Sequence, residues 1–489
     1  VTSYIIILVL YLVATMIAGI WAGRKGNATD GFFVGGRSLG PIVIATTWAA
    51  TLISSATFLG TAGYGYTSGW AGLIWGAFIM VFGGIFAWLL LAKKMRFLSG
   101  KLGALTIPNL LLSRFQDKKM NGLIAALIFI FYAPMLASQF AGAGIVFETL
   151  FGVDYIWGIF LFGILVVIYT TAGGLVAVAY TDLVQAVVMV VAYVIAIPVV
   201  LTHVGGMSNL TATLGTIDSG LLSIHGAGGY YTWAMIFSWI VYYLFGTAGQ
   251  PYMLIRFFAI KDKKALKLAL PIAMGVILIC YFGTGLMGLS ARAMIPDLTA
   301  PDYAMPQIAI KFLNPVLGGL LLSAVFAAMM STVDSLLHVV GTTVAKDLIQ
   351  QNLRPNMSNQ GLLKVSRYAT VACGVCGLLL AIRPPQSILT LITYAWTCLA
   401  ASLFMPIVAG MYWKRFNRTG AYCSILTGSI VGAVVIGVFG GIAIGVHPML
   451  IALPSAVLAG VIGTLITKPQ PQGELEAFFP AVMEKVDFD

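Results

Sequence analysis

Two carboxylates stand where carboxylates are costly. Asp182 and Asp334 fall inside long apolar stretches, whereas the other fourteen acids lie in polar intervals or near the end of the chain. An ionisable group in such surroundings faces a partner or a pathway rather than lipid. Each is accompanied by hydroxyls, in TDLVQ from Thr181 to Gln185 and in MSTVDSLLH from Met330 to His338. Ser331, Asp334, Ser335 and His338 recur at three- or four-residue spacing and share one helix face, with Thr332 beside it. Such an oxygen-lined stripe suits a small hard cation such as Na⁺, which takes oxygen ligands in preference to sulfur or nitrogen. The hydroxyls alone also suit interhelical hydrogen bonds of about 1 kcal/mol or less each; the two acids favour ion binding. Asp334 and His338, four residues apart, offer a second chemistry, proton relay.

Two further stretches combine small, polar and helix-breaking residues within apolar sequence. ATTWAATLISSATFLGTAGYG runs from Ala45 to Gly65 and WIVYYLFGTAGQPYMLIRFF from Trp239 to Phe258, and both contain GTAG. A break at membrane depth frees backbone carbonyls and amides, which is tolerated only where protein or a water-filled cavity receives them. The breaks therefore predict a binding site. The competing reading is close helix contact through Gly60 and Gly246.

The elements that position these groups follow from composition. Of 489 residues, 60 % are hydrophobic and 9 % charged, and mean hydropathy is +0.98. Soluble domains are about a quarter charged. The apolar residues come in runs of about twenty, the length a helix needs to cross the bilayer core, so the fold class is an all-α polytopic membrane protein and a β-barrel is excluded. Thirteen candidate spans run from 4–23 to 448–467, with the second at 41–66, the fifth and sixth at 155–175 and 177–202, the seventh at 230–256 and the ninth at 315–345.

Placing the N-terminus outside puts 24 of the 27 basic residues on one face, leaving Arg292, Lys311 and Arg383 opposite. Basic loops mark the cytoplasm, so the expectation is a plasma-membrane protein with an outside N-terminus and a cytoplasmic C-terminus. The net charge of +11 is then a topology signal, and no nucleic-acid partner is expected. The first apolar run reads as a retained helix rather than a signal peptide. Five cysteines, including the CxxC of Cys373 and Cys376, sit in or beside apolar runs as small hydrophobes. His203, His225 and His447 read as solvated or interfacial. No G-x-x-x-x-G-K-[ST], H-E-x-x-H or G-x-S-x-G occurs, which argues against an ATP-driven pump and a membrane enzyme.

These residues resemble the sodium:solute symporter family along essentially the whole chain, from FFVGGRSLG after the first span to YWKRFNRTGA after the eleventh. VIYTTAGGLVAVAYTDLVQAVVM (Val167 to Met189), GQPYMLIRFFAIKD (Gly249 to Asp262) and AAMMSTVDS (Ala327 to Ser335) are each similar to a family motif. The resemblance implies a leucine-transporter-like core of two inverted five-helix repeats. The chain then divides into a first helix and loop (1–40), a first repeat (41–203), an outward loop (204–229), a second repeat (230–413), two further helices (414–467) and a cytoplasmic tail (468–489). It also implies a sodium site of backbone oxygens from Ala50, Ile53 and Ala328 with the hydroxyls of Ser331 and Thr332. Some members bind a second sodium, which would use Asp182, Ser331, Asp334 and Ser335 here; Asp334 departs from the hydroxyl those members carry.

The resemblance further implies substrate contacts from the broken helices, offering Ser54, Ser55, Thr57, Tyr243, Thr247, Gln250 and Pro251. Thr57 is small where sugar-transporting relatives place a longer amide, and ARAMIPDLTAPDYAMPQ (Ala291 to Gln307) looks closest to the proline, pantothenate and monocarboxylate branches. Arg256 reads as a topology anchor beside Lys261, Lys263 and Lys264. The expected function is Na⁺-driven uptake of a small carboxylate-bearing solute by alternating access, with Na⁺ as coupling ion, the lipid bilayer as surroundings and no obligate protein partner. A proton-coupled symporter using Asp334 and His338, a passive facilitator and a transporter-like sensor are the alternatives.

Overall fold

Lipid offers the backbone no hydrogen-bond partner, so an apolar chain of this kind must satisfy its amides within helices. The computed structural model describes residues 2–24, 28–383, 388–440, 445–476 and 478–479, and shows helix throughout, with one isolated parallel bridge between Leu39 and Ile260. Lys25, Lys485 and half of the predicted tail lie outside the described residues.

In chain order the long elements are α1 (Thr2–Gly23), α2 (Pro41–Leu52), α3 (Ala56–Ser68), α4 (Trp70–Lys101), α5 (Lys118–Phe151), α6 (Tyr155–Val204), α7 (Trp233–Ala248), α8 (Pro251–Ala259), α9 (Lys263–Met294), α10 (Pro315–Leu353), α11 (Asn359–Ile382), α12 (Ile388–Tyr412), α13 (Arg418–Phe439) and α14 (Met449–Leu465). Among the described residues nine helices are long and apolar enough to cross a bilayer, or ten if α2 and α3 form one bent span. The rest of the thirteen predicted spans correspond to the second half of α6 and to the shorter apolar helices α7 and α14. The predicted loop 204–229 contains a helix of its own, Gly206–Ile217.

Burial sorts these helices into centre and rim. In α10, every side chain from Leu321 to Thr343 is buried, on all faces, as expected of a helix enclosed by others. In α1 only 28 % of the most apolar window is buried, and large apolar side chains such as Leu10, Ile17, Phe82 and Trp157 are at least half exposed, forming an outer surface suited to lipid. The polar stripe of α10 is thereby removed from that surface. On the basic face, Arg114 in the short helix Ile107–Phe115 donates to the carbonyls of Gly410 (2.8 Å) and Phe416 (2.6 Å) and to Gln470 Oε1 (2.7 Å). Burial pushes its guanidinium down to about 10, still charged at neutral pH.

Two close approaches fix the frame around the site. A Cβ at Gly288 of α9 would lie 2.0 Å from the carbonyl oxygen of Ala62, so α3 and α9 pack backbone to backbone. The fifth and sixth predicted spans form one helical run that turns at Gly174, with φ 60° and ψ −155°, a conformation essentially reserved for glycine. A Cβ there would also lie 2.5 Å from the oxygen of Phe32. Gly174→Ala is therefore expected to lower the thermal unfolding midpoint of the detergent-solubilised protein, by strain of about 1–3 kcal/mol plus the clash. Gly275→Ala, where nothing lies within 4 Å, should leave it unchanged in the same fluorescence melt; equal midpoints for both variants would remove the special role of Gly174.

Candidate ion and solute site

The first predicted break is real. α2 ends at Leu52, Ile53 is extended at φ −91° and ψ 119°, and α3 restarts at an angle of 63°. In a continuous helix the amides of Ser54 and Thr57 would bond to the carbonyls of Ala50 and Ile53. Here Ser54 donates instead to Thr57 Oγ1 (3.1 Å) and Thr57 to the Ser54 oxygen (3.0 Å), so the break turns the Ala50 and Ile53 oxygens towards α10. Ser331 Oγ lies 2.9 Å from the Ala50 oxygen and 3.0 Å from that of Ala328, while Thr332 Oγ1 lies 3.2 Å from the oxygens of both Ile53 and Ala328. All five predicted sodium-site positions are thus neighbours. Three carbonyls and two hydroxyls converge across the gap, a set of oxygens of the kind a hard cation takes. Among the described residues no group of three His, Cys, Asp or Glu side chains is placed to hold a metal.

The predicted second cation site is also assembled, but another side chain runs through it. Asp182 Oδ2 accepts from Thr47 Oγ1 at 2.5 Å and lies 3.6 Å from Arg256 Nη2. The same guanidinium donates to Ser335 Oγ, to the Tyr252 carbonyl and, at 3.3 Å, to Thr47 Oγ1. Asp334 accepts from Tyr169 Oη at 2.9 Å, Thr181 Oγ1 at 3.4 Å and Ser335 Oγ at 3.3 Å. Arg256 is therefore no surface anchor. It lies within α8, which is buried from Pro251 to Ala259, and is itself fully buried, whereas Lys261, Lys263 and Lys264 beyond the helix are exposed or half-buried. The distinguishing signal is its flanks, Leu254 and Ile255 before and Phe257 and Phe258 after.

His338 does not meet Asp334. Its Nε2 lies 3.3 Å from the Phe33 carbonyl and its ring lies against Phe32, so the proposed relay between the two loses its geometric basis. His447 is not solvated either: it is buried with its ring 3.9 Å from that of Tyr242.

Beside the first break lies a cavity of about 750 Å³, counting its mouth and the solvent space open to it. Ser54, Thr57 and Tyr243 line it, together with Tyr64, Trp75, Trp239, Tyr242, Tyr281 and Trp396. No Asp, Glu, Lys or Arg does. Ser55, Thr247, Gln250 and Pro251 lie off its wall. The Ser55 amide donates to Gln139 Oε1 (3.1 Å), Thr247 Oγ1 bonds back to the Tyr243 carbonyl (2.7 Å), and Pro251 opens α8. Gln250 staples the second break, accepting from Tyr132 Oη at 2.9 Å and donating to the Trp396 carbonyl at 3.0 Å. The close-contact reading of the glycines fails at Gly60, where a Cβ would meet nothing within 4 Å, and at Gly246 a Cβ would make only ordinary contact with the Trp396 ring.

Comparison with known proteins is decisive at this point: the family model described as sodium:solute symporter family matches residues 32–428. The chain belongs to the sodium:solute symporter family. It is 34 % identical over 475 residues to the sodium/pantothenate symporter of Escherichia coli (strain K12), covering 95 % of this chain and 97 % of that one. To the osmoregulated proline transporter OpuE of Bacillus subtilis (strain 168) it is 32 % identical over 493 residues, covering 99 % and 98 %. Among solved structures, a substrate-bound, outward-open Na⁺-coupled sialic acid symporter superposes with a TM-score of 0.82 at 20 % identity, over 96 % of this chain and 98 % of that one. MhsT in complex with L-phenylalanine gives 0.54 at 15 % identity, over 88 % and 98 %. These likenesses establish the leucine-transporter-like fold. As a sodium:solute symporter the chain is a multi-pass membrane transporter of small solutes, not an enzyme, and Na⁺ is its coupling ion.

Gln250→Leu in this symporter leaves the buried Tyr132 hydroxyl proton without its acceptor and removes the link to the Trp396 carbonyl, at about 1–3 kcal/mol for a buried unpaired group. A clearly lowered unfolding midpoint in detergent is expected, with a smaller decrease for Tyr132→Phe. An unchanged midpoint for Gln250→Leu would show that the staple contributes nothing.

Proposed function

We propose that this symporter binds Na⁺ at the oxygens of Ala50, Ile53, Ala328, Ser331 and Thr332 and a small carboxylate-bearing solute in the adjoining cavity, with its basic face in the cytoplasm. One observation carries the reading. Consecutive residues of a single break serve both sites: Ala50 and Ile53 face the hydroxyls of α10, while Leu52, Ser54, Ala56 and Thr57 line the cavity. An ion that fixes the break therefore fixes the cavity wall, and a solute that orders the wall orders the ion's ligands. That is a coupling free energy, reciprocal by necessity.

The solute class follows from charge and size. An uncharged, aromatic-rich wall with Tyr and Thr hydroxyls favours a solute of low net charge, or an anion whose charge is met by the neighbouring Na⁺. The Thr57 hydroxyl donates to Tyr281 Oη at 3.0 Å, leaving the wall without an extended amide such as a sugar would engage. The sodium/pantothenate and proline transporters among the relatives act on carboxylate-bearing solutes of suitable size. The orientation rests on the basic residues gathered on one face. Alternating access then requires one helix bundle to rock against the rest about this site.

Two measurements test the proposal. Binding of radiolabelled L-proline and pantothenate to the purified protein should tighten in Na⁺ relative to choline, by about 5–150-fold for a coupling of 1–3 kcal/mol; equal affinities for a solute that binds would refute coupling. In proteoliposomes, Ser331→Ala with Thr332→Ala should raise the half-saturating Na⁺ concentration by tenfold or more, and an unchanged Na⁺ dependence would remove the site.

A further inference from the structure

We propose that Arg256 is a tethered cation that fills the second cation site, so that this chain binds one Na⁺ where Asp182, Ser331, Asp334 and Ser335 would otherwise receive another. The inference rests on the reading of the first sodium site given above. Its basis is the way the four oxygen-bearing residues are already engaged. Asp182 Oδ2 faces the guanidinium at 3.6 Å, and Ser335 Oγ accepts a hydrogen bond from it. Ser335 Oγ is in turn 2.6 Å from the Ser331 carbonyl, while the Ser331 hydroxyl points away, to the Ala50 and Ala328 oxygens of the first site.

Two features make this a cation's place rather than an incidental ion pair. Both carboxylates are fully buried: Asp182 faces the guanidinium at 3.6 Å, and Asp334 is linked to it through Ser335, whose Oγ lies 3.3 Å from Asp334 Oδ1 and accepts from Arg256. Carboxylates in a dry interior demand a compensating cation. Asp182 Oδ1 is also buried with no hydrogen-bond partner, an acceptor that a monodentate contact with Arg256 leaves unused. A free Na⁺ entering among the same oxygens would sit beside the guanidinium, where low-dielectric repulsion opposes it. The guanidinium is held from behind by the Tyr252 carbonyl and by Thr47 Oγ1 at 3.3 Å, partners on α8 and α2 that keep it aimed at the site.

Counting bound ions on the purified full chain tests this without reference to transport. Radiolabelled Na⁺ at saturation, with choline replacing Na⁺ in the control, should bind at one ion per chain in the wild type and two in Arg256→Gln, while Arg256→Lys keeps one. A wild-type count of two overturns the tethered cation and leaves the first site standing. A wild-type count of zero overturns the first site and this inference with it. A count of one in a monodisperse Arg256→Gln protein overturns the inference alone. Should that variant fail to fold, Asp182→Asn decides: the count stays at one if Arg256 fills the site and falls to zero if Asp182 is the ligand of the single ion.

Discussion

Every backbone polar group buried in a bilayer must find a partner within the protein, and the break at Ile53 and Ser54 transfers that obligation from one helix to another. The oxygens of Ala50 and Ile53, which an unbroken helix would satisfy internally, are met by Ser331 and Thr332 of α10. The enclosure of α10 follows from this. A helix presenting two serines, a threonine, an aspartate and a histidine within eight residues is untenable against lipid, and the structure surrounds it from Leu321 to Thr343. The lipid-facing work falls to helices such as α1, whose apolar side chains are left on the surface.

The same break sets the character of the proposed ion site. Its five oxygens are all uncharged, so nothing but the ion itself carries charge there. A neutral cage holds a hard cation through dipoles alone, and dipoles on a movable segment are easily rearranged. A carboxylate would hold the ion more strongly and would leave an uncompensated charge in the interior when the ion departed. The neighbouring cluster shows the other arrangement, with Asp182 beside Arg256 and both Asp182 and Asp334 accepting from hydroxyl donors. On the proposed reading, neutral ligands stand where charge would come and go, and ionic ones where the protein supplies its own counter-charge.

How far the sequence reveals this depends on what kind of interaction places each residue. The breaks are legible because small and polar residues are out of place within apolar runs unless the helix is interrupted there. The stripe from Ser331 to Ser335 is legible because helix periodicity needs no tertiary knowledge. The sodium-site positions come from family resemblance, since the local chemistry alone does not specify them. Arg256 reads as an anchor because Lys261, Lys263 and Lys264 follow it in sequence, whereas its neighbours in space are Asp182, Thr47 and Ser335, more than seventy residues away in every case. Gln250 reads as a solute contact since it sits at a break, yet its amide is consumed by Tyr132 and Trp396. His338 shares a face with Asp334, but rotamers on one face diverge when each side chain has a better partner elsewhere. The turn of α6 at Gly174 falls within two residues of the predicted boundary between the fifth and sixth spans.

The two breaks differ in what they leave free, and this bears on which of them moves. At the second, Gln250 joins the end of α7 and the start of α8 to α5 and α12 through side-chain hydrogen bonds, and Gly249 packs so closely on Ala400 that a Cβ would lie 2.7 Å from its backbone. That junction is tied to its surroundings whether or not an ion is present. At the first, among the described residues, only the hydroxyls of Ser331 and Thr332 of α10 reach across the gap to the Ala50 and Ile53 oxygens. With Na⁺ at the proposed site, the break between α2 and α3 is accordingly the one whose geometry an ion would control, and the second the tied wall against which it would work.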